Sequence, residues 1–369
     1  MMKRVLIGLA YSCAIAGCAT AQEEIPMQAE HFDLSQAKGA EFKTVRGREA
    51  LCFEGGVALV KGRDLPNGTI MVDAENTSKR YFANVIFRAE DAKTHEAAYL
   101  RMHKSRQLDA MQYNVHLNTE SNWQLFGDHQ RPADFGDGDW VSLEVAFAGD
   151  KARFAAESSA GSYVLPVGDL TLDETGTGFG LRALFPACFS NFRISSDTPD
   201  LSDVPTSVYE ISAGTIMDWQ LSPVAGFEGF AETARVDAEW ETVQSEANGT
   251  LLISRYRTKL GGGNFEANAL DLVYAGARIH SDRARTVAMN FDVSDMGRLY
   301  LNGKPLVELN NSFRAKGNAL FRGDFNVSTQ TVMLALQPGM NELVFAVAER
   351  ANGWGHAAEI TDMTGLEFR

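Results

Sequence analysis

Between Leu51 and Ser195 the chain is a succession of short alternating or apolar runs: GVALV, GTIMVDAE, FANVIFRAE, AAYLRMH, MQYNVHL, WQLF, WVSLEVAF, ARFAAE and FGLRAL. A period of two in runs this short is the pattern of β-strands. Pro66-Asn67-Gly68, Gly136-Asp137-Gly138-Asp139 and Ala148-Gly149-Asp150 fall where such strands would reverse. So many short strands predict a sandwich rather than a parallel α/β sheet, occupying residues 22–195. SSDTPDLSDVPTS concentrates Ser, Asp and Pro without hydrophobic periodicity, so 196–207 reads as a linker. Strand patterns resume in 208–369 with TIMDWQL, GTLLISRYR, TVAMNFDV, GRLYLNG, TVMLAL and NELVFAVAE, and Gly261-Gly262-Gly263 reads as the most flexible loop. The expected fold class is all-β, with two β-sandwich domains in tandem. A length of 369 residues with 45% hydrophobic content allows each domain a core of its own.

At the N-terminus, Lys3 and Arg4 precede the apolar run VLIGLAYSCAIAG, which is short for a membrane span and soon followed by polar residues. Residues 1–21 therefore read as a secretory signal peptide. Two processing readings stand side by side. Ala19-Thr20-Ala21 is an A-x-A site releasing a chain that begins at Gln22, whereas Ile15-Ala16-Gly17-Cys18 resembles a bacterial lipobox with Cys18 as the lipidated residue. The expected location is the periplasm or the medium, or the outer membrane through a lipid anchor alone. Cys52 and Cys188 remain for the mature fold, in what read as the first and last strands of the first domain. A disulfide between them and two reduced core thiols are both open. No His or second Cys stands at metal-ligand spacing from either. The net charge of −14 and the lack of any Lys/Arg cluster along the chain argue against nucleic acid or an anionic membrane surface as partner.

Tyr99 to Phe126 sets polar side chains at strand spacing. Tyr99, Arg101 and His103 share one face, with Leu100 and Met102 on the other. After the turn-like KSRQLDA, Gln112, Asn114 and His116 alternate with Met111, Tyr113, Val115 and Leu117. With Arg88, Gln124 and Trp123, this face combines planar hydrogen-bonding groups with an aromatic platform, which suits the hydroxyls and apolar ring faces of sugars. The alternative is the wet face of an antiparallel sheet with Trp123 in the core. Guanidinium, imidazole, phenol and amide groups are costlier choices for such a face than Lys, Glu or Thr.

YLRMHKS, DAMQY, SNWQLF and ACFSNF resemble the laminin-G and concanavalin-A-like lectin/glucanase sandwiches of exported bacterial proteins. GRLYLNGKPL, LALQPGMNELVFAVAE and NGWG resemble galactose-binding-like jelly rolls, in which the NGK hairpin and the PGxNEL turn link adjacent strands. These resemblances imply two jelly-roll sandwiches and a glycan or polysaccharide as partner. They also bring lectins, adhesion modules, glycosidases and lyases into view. A glucanase of this kind needs a strand reading E-x-D-x-x-E, with carboxyl groups about 5–5.5 Å apart for retention. The nearest run, MVDAEN, places Asp73 and Glu75 on one face but lacks the leading glutamate. A lyase of this kind needs a Q-I-H strand, which is absent.

Other constellations are weaker. His103 and His116 titrate in a useful range, but no HxH or HExxH accompanies them, and Gly136–Asp139 is short for a calcium loop and reads as a hairpin turn. No G-x-S-x-G elbow occurs, and the glycine triplet lacks the Lys and strand-to-helix context of a phosphate loop. Trp354, with Glu349 and His356, forms a second candidate groove or closes the core of the second domain; Trp219 and Trp240 read as core or interdomain packing. No metal and no cofactor is expected. The expected function is non-catalytic carbohydrate binding outside the cytoplasm. The alternatives are a glycan hydrolase or lyase with His103 or Glu96 as acid or base, and an envelope protein-interaction module.

Overall fold

The computed structural model describes residues 22–77, 79–261, 269–315, 317 and 320–369. The signal segment with Cys13 and Cys18, both processing readings, and Gly262 and Gly263 lie outside the described residues.

The first sandwich is built from β1 (Arg48–Val60), β2 (Gly68–Glu75), β3 (Phe82–Ala89), β4 (His95–Arg101), β5 (Met111–Leu117), β6 (Trp140–Ala148), β7 (Lys151–Ser158), β8 (Gly161–Val167) and β9 (Gly178–Ser195). The order is β5-β4-β3-β9-β2-β6-β7-β8, with β1 also on β9 and every pair antiparallel. β9 makes the corner. Its first half pairs with β3 and its second with β2, and its register with β1 shifts between Leu184 and Ala187, where Phe185 has φ +67. A bulge bends and twists a strand, so β9 leaves one layer and enters the other. The two inner faces then close on each other. Val85, Phe87, Ala98, Leu100 and Leu181 come from one layer and Ile70, Val72, Leu143, Val145 and Phe154 from the other, with the rings of Phe87 and Phe147 4.7 Å apart. Each such Leu, Val or Phe contributes about 1.5–3 kcal/mol by leaving water. Gly149 reverses β6 into β7 at φ +58, a conformation open to glycine without a Cβ clash. Cys52 on β1 faces Cys188 on β9 in register, and a disulfide joins them.

The second sandwich contains β10 (Asp271–Ser281), β11 (Arg285–Ser294), β12 (Met296–Leu301), β13 (Lys304–Asn310), β14 (Gln330–Leu336), β15 (Gly339–Glu349) and β16 (Gly355–Ile360). One sheet runs β10-β15-β12-β13 and the other β16-β11-β14. The NGK turn links neighbours: Asn302 and Gly303, at φ +51 and +82, join β12 to β13 in the two-residue hairpin form. The PGMNEL turn does not. It joins β14 to β15, which lie in opposite sheets, so it is a crossover between layers. Trp219, Phe291, Phe345 and Trp354 fill the space between these sheets. Residues 196–207 carry no strand, yet Leu201 and Val204 are buried against Ala146 of the first sandwich. No helix among the described residues is long and apolar enough to cross a membrane.

Candidate functional site

The outer face of the β3-β4-β5 layer is covered by the second sandwich. Register places Arg182, Asn84, Tyr99 and Gln112 in one row across β9, β3, β4 and β5, and Leu184, Phe82 and Arg101 in the next. Opposite these rows the second sandwich presents Phe313, Arg314, Leu320 and Arg322 from the segment after β13, and Asn352 after β15. A cavity of about 630 Å³ lies between. On its wall the Tyr99 hydroxyl donates to Gln112 Oε1 at 2.8 Å, and Gln112 Nε2 donates to the Trp123 carbonyl at 2.9 Å. Arg101 pairs with Asp109, which Arg322 also reaches at 3.0 Å. Both guanidinium groups lie over the Trp123 ring, 4.9 and 5.5 Å from its centre, and Phe313 meets that ring edge-on at 5.8 Å. Such contacts fix planar cations and aromatic faces together.

Tyr99, Arg101, His103 and Trp123 of the expected polar face do line the cavity, and His116 sits at its floor. His103 gets there differently from expectation, since β4 ends at Arg101 and a 3-10 turn, Met102–Lys104, carries it. Four other candidates are corrected. Gln112 is fully buried and off the lining, where it bridges the Tyr99 hydroxyl and the Trp123 carbonyl. Asn114 is fully buried and donates to Ser121 Oγ at 2.9 Å. Gln124 points into the junction of the two sandwiches. Arg88 leaves the face because β3 bulges there: Ile86 pairs with Gly180 but Ala89 with Gly178, and Arg88 has φ +47. Its guanidinium turns instead to the carbonyls of Leu172, at 2.7 Å, and Gly149.

The three residues of the second candidate groove lie in the core. Glu349, Trp354 and His356 are sealed in, with His356 edge-on to Trp219 at 4.4 Å and Trp354 Nε1 donating to the Val347 carbonyl. Glu96 is sealed as well. It points to the core side of β4, accepting from Leu172 N at 2.7 Å and from the Tyr113 hydroxyl at 2.9 Å, and burial raises its pKa to about 7. Asp73 and Glu75 are held by Arg48, Ser142 and Asn191, and by Arg46, away from the cavity. At the GDGD turn, Asp137 accepts from Ser159 and Asp139 from Arg46.

Charge in the cavity follows from burial. Burial, with Arg80, Arg101 and Lys104 adding, lowers the His103 pKa to about 4, so the imidazole is neutral near pH 7. Arg182 is lowered by burial to about 10 and stays charged. Sequence reasoning missed Arg80, Phe82, Asn84, Arg182, Phe313, Arg314 and Arg322. Asn84 and Arg182 carried a signal, as polar residues at outward positions of FANVIF and GLRAL. The segment from Phe313 to Arg322 carried none, because it has no period.

The two sandwiches are joined by buried hydrogen bonds. Gln124 Nε2 donates to the carbonyls of Arg322 and Gly323, both at 3.0 Å; Gln124 N donates to Asn352 O, and Gln124 O accepts from Phe325 N. Gly323 has φ +70, and a Cβ there would fall 2.3 Å from Gln124 Nε2. Gln124→Ala removes these side-chain bonds, with a longer one to the Asn311 carbonyl, and takes a donor from the buried Gly323 carbonyl. Urea unfolding should read a loss of about 2–3 kcal/mol, and an unchanged midpoint would show that this junction contributes nothing.

No protein-family model matches the chain, and no curated protein sequence does. Among solved structures it is similar to the carbohydrate-binding module CBM66 from Bacillus subtilis, at 13% identity over 43% of this chain and 96% of that one, with a TM-score of 0.29. A Bacillus licheniformis β-glucanase is similar at 9% identity over 49% and 94%, TM-score 0.27. Chicken galectin 2 is similar at 14% identity over 38% and 98%, TM-score 0.25.

Proposed function

We propose that the chain binds carbohydrate in the cavity between its two sandwiches, outside the cytoplasm. The observation that supports this best is the pairing of the aromatic groups Phe82, Tyr99, Trp123 and Phe313 with the planar hydrogen-bonding groups Asn84, Arg101 and Arg322 around one cavity. Sugar rings offer apolar faces to the former and hydroxyls to the latter. The disulfide favours an oxidising compartment, in keeping with the signal read at residues 1–21.

Binding is favoured over hydrolysis by the chemistry of the lining. The described lining holds one carboxylate, Asp109, already paired with two arginines. A two-carboxylate mechanism lacks its second group.

A glycan array on the exported protein tests this. Trp123→Ala and Phe82→Ala should each weaken the strongest signals about tenfold or more, an effect of about 1.4 kcal/mol, while both variants keep the parental melting profile to within the cost of a trimmed ring. Full affinity in both would remove the cavity from consideration. Release of new reducing ends or unsaturated products from a bound polysaccharide would replace binding by catalysis.

A further inference from the structure

The charge around the cavity says more than its shape. Arg80, Arg101, Arg182, Arg314 and Arg322 line it, against the single carboxylate of Asp109. Asp109 is shared by Arg101 and Arg322, and Arg322 also reaches Asp324 at 3.1 Å. No described carboxylate lies within ion-pairing distance of Arg80, Arg182 or Arg314. Arg80 lies over the Phe185 ring at 4.7 Å and Arg314 over Phe313 at 4.8 Å, while Arg182 stands in the floor row beside Asn84. Burial pulls the Arg80 pKa below its ordinary value, and repulsion from Arg314 and Arg101 adds to it.

Like charges gathered in a partly buried cavity repel more strongly than in open water. The chain as a whole carries −14, so this concentration is not a by-product of a basic protein. Arg182 is partly buried in the floor row, where a charge is ordinarily paired, Arg80 and Arg314 stand exposed at the mouth, and guanidinium forks match carboxylate and sulfate oxygens two at a time. Three arginines without carboxylate partners therefore leave an anion-sized demand open, beside aromatic faces.

We propose that the glycan taken by this cavity is anionic, its rings bearing carboxylate or sulfate groups that pair with Arg80, Arg182 and Arg314 while ring faces lie against Trp123 and Phe313. This rests on the carbohydrate reading above and narrows it to acidic polysaccharides.

The test uses matched probes on the full exported protein, followed by calorimetry: polygalacturonate against its fully methyl-esterified form, dextran sulfate against dextran, and polyglutamate as an anion without sugar. Expected is binding of polygalacturonate, of dextran sulfate or of both, with the neutral partner of each at least about tenfold weaker. Affinity should fall as salt is raised, because the attraction is screened. The member of the acidic pair that binds identifies the anion as uronate or sulfate ester. Arg182→Gln should weaken the acidic ligand about tenfold or more, as loss of a charged hydrogen bond does, and should weaken a neutral glycan markedly less. Arg314→Gln, on an exposed segment, gives the same reading should Arg182→Gln fold poorly. Equal binding of neutral and acidic partners, unmoved by either variant, overturns the anionic inference and leaves the carbohydrate reading standing. Polyglutamate bound as tightly as polygalacturonate shows an anion site that ignores sugar, and silence from every glycan overturns both.

Discussion

Raising the pH from about 7 to about 9 is expected to destabilise this protein by a few kcal/mol, and Glu120→Gln is expected to reverse much of that loss. Glu120 (on Glu120–Ser121, beside β5), Asp295 and Glu349 meet where the sandwiches join, all three buried. Glu120 Oε1 accepts from Asn352 N at 2.9 Å and Glu349 Oε1 from Gly353 N at 3.1 Å, while Asp295 Oδ2 accepts from Arg350 N at 3.2 Å. The second oxygen of Glu120 and of Glu349 has no hydrogen-bond partner. Lys259 donates to the Glu349 carbonyl at 2.6 Å and opposes the cluster's charge, as Arg350 does at Asp295; Asp271 adds a further carboxylate.

Burial, with Asp295 and Asp271 adding, raises the Glu120 pKa to about 8, against the opposing pull of Lys259 and the Asn352 N–H. Burial raises Asp295 to about 6 and Glu349 well above its ordinary value, the latter with Asp295 and Glu120 adding. In the unfolded chain a glutamate loses its proton near about pH 4.3. Between that pH and the folded value the native state holds more protons than the unfolded one, so stability falls as pH rises. On the acid side the sign is opposite. His95 and His356, lowered by burial to about 3, and His103, to about 4, stay neutral in the fold while unfolded histidines take up protons below about pH 6.5. The two trends oppose each other between about pH 4.3 and 6.5, so stability should be highest on the acid side of neutrality, and above it these acids act without opposition from the histidines. Glu120→Gln keeps the acceptor for Asn352 N and removes one ionisation, so at about pH 8 it should exceed the parent by about 2 kcal/mol and show a shallower decline. Chemical denaturation across this range reads both. A flat parental profile, or a variant that is weaker with the parental slope, would mean that the cluster is already ionised and compensated.

The second large effect is expected from Cys52→Ala/Cys188→Ala. The disulfide spans 136 residues and clips β1 to the corner strand β9. Removing so long a closed loop frees the unfolded chain, which on loop-entropy grounds costs the fold about 3–5 kcal/mol. Thermal melting of the first sandwich should fall by about 10 °C, with glycan affinity unchanged below the transition, since neither cysteine lines the cavity. Melting at the parental temperature would show that the strand pairing alone holds β9 in place.

Strand alternation was legible throughout because it is a local property. Tyr99 and Arg101 share a face with Gln112, Asn114 and His116 by the period of two alone, and the sandwich class follows from the same period and its turns. Arg88 departed from its face because one bulge reverses where a side chain points, and no residue type in FRAE announces that bulge. Glu349, Trp354 and His356 looked like a groove because polarity and aromaticity suggest a site. Enclosure between two sheets, which depends on how distant strands pack, made them core.

The cationic cavity is the sharpest case. Arg80, Arg101, Arg182, Arg314 and Arg322 are scattered across more than half the chain, so no stretch of sequence is basic, and composition reads as acidic. By itself the sequence determined which strands form, which of their faces are apolar, and that one face carries planar polar groups. Only the tertiary structure decided that this face is roofed by a second sandwich, that a segment without periodicity supplies the roof, and that these arginines gather around one cavity whose carboxylate, Asp109, pairs with two of them. Alternation is set by neighbours two residues apart, whereas charge density in a cavity is set by distances in space between residues that the chain keeps far apart.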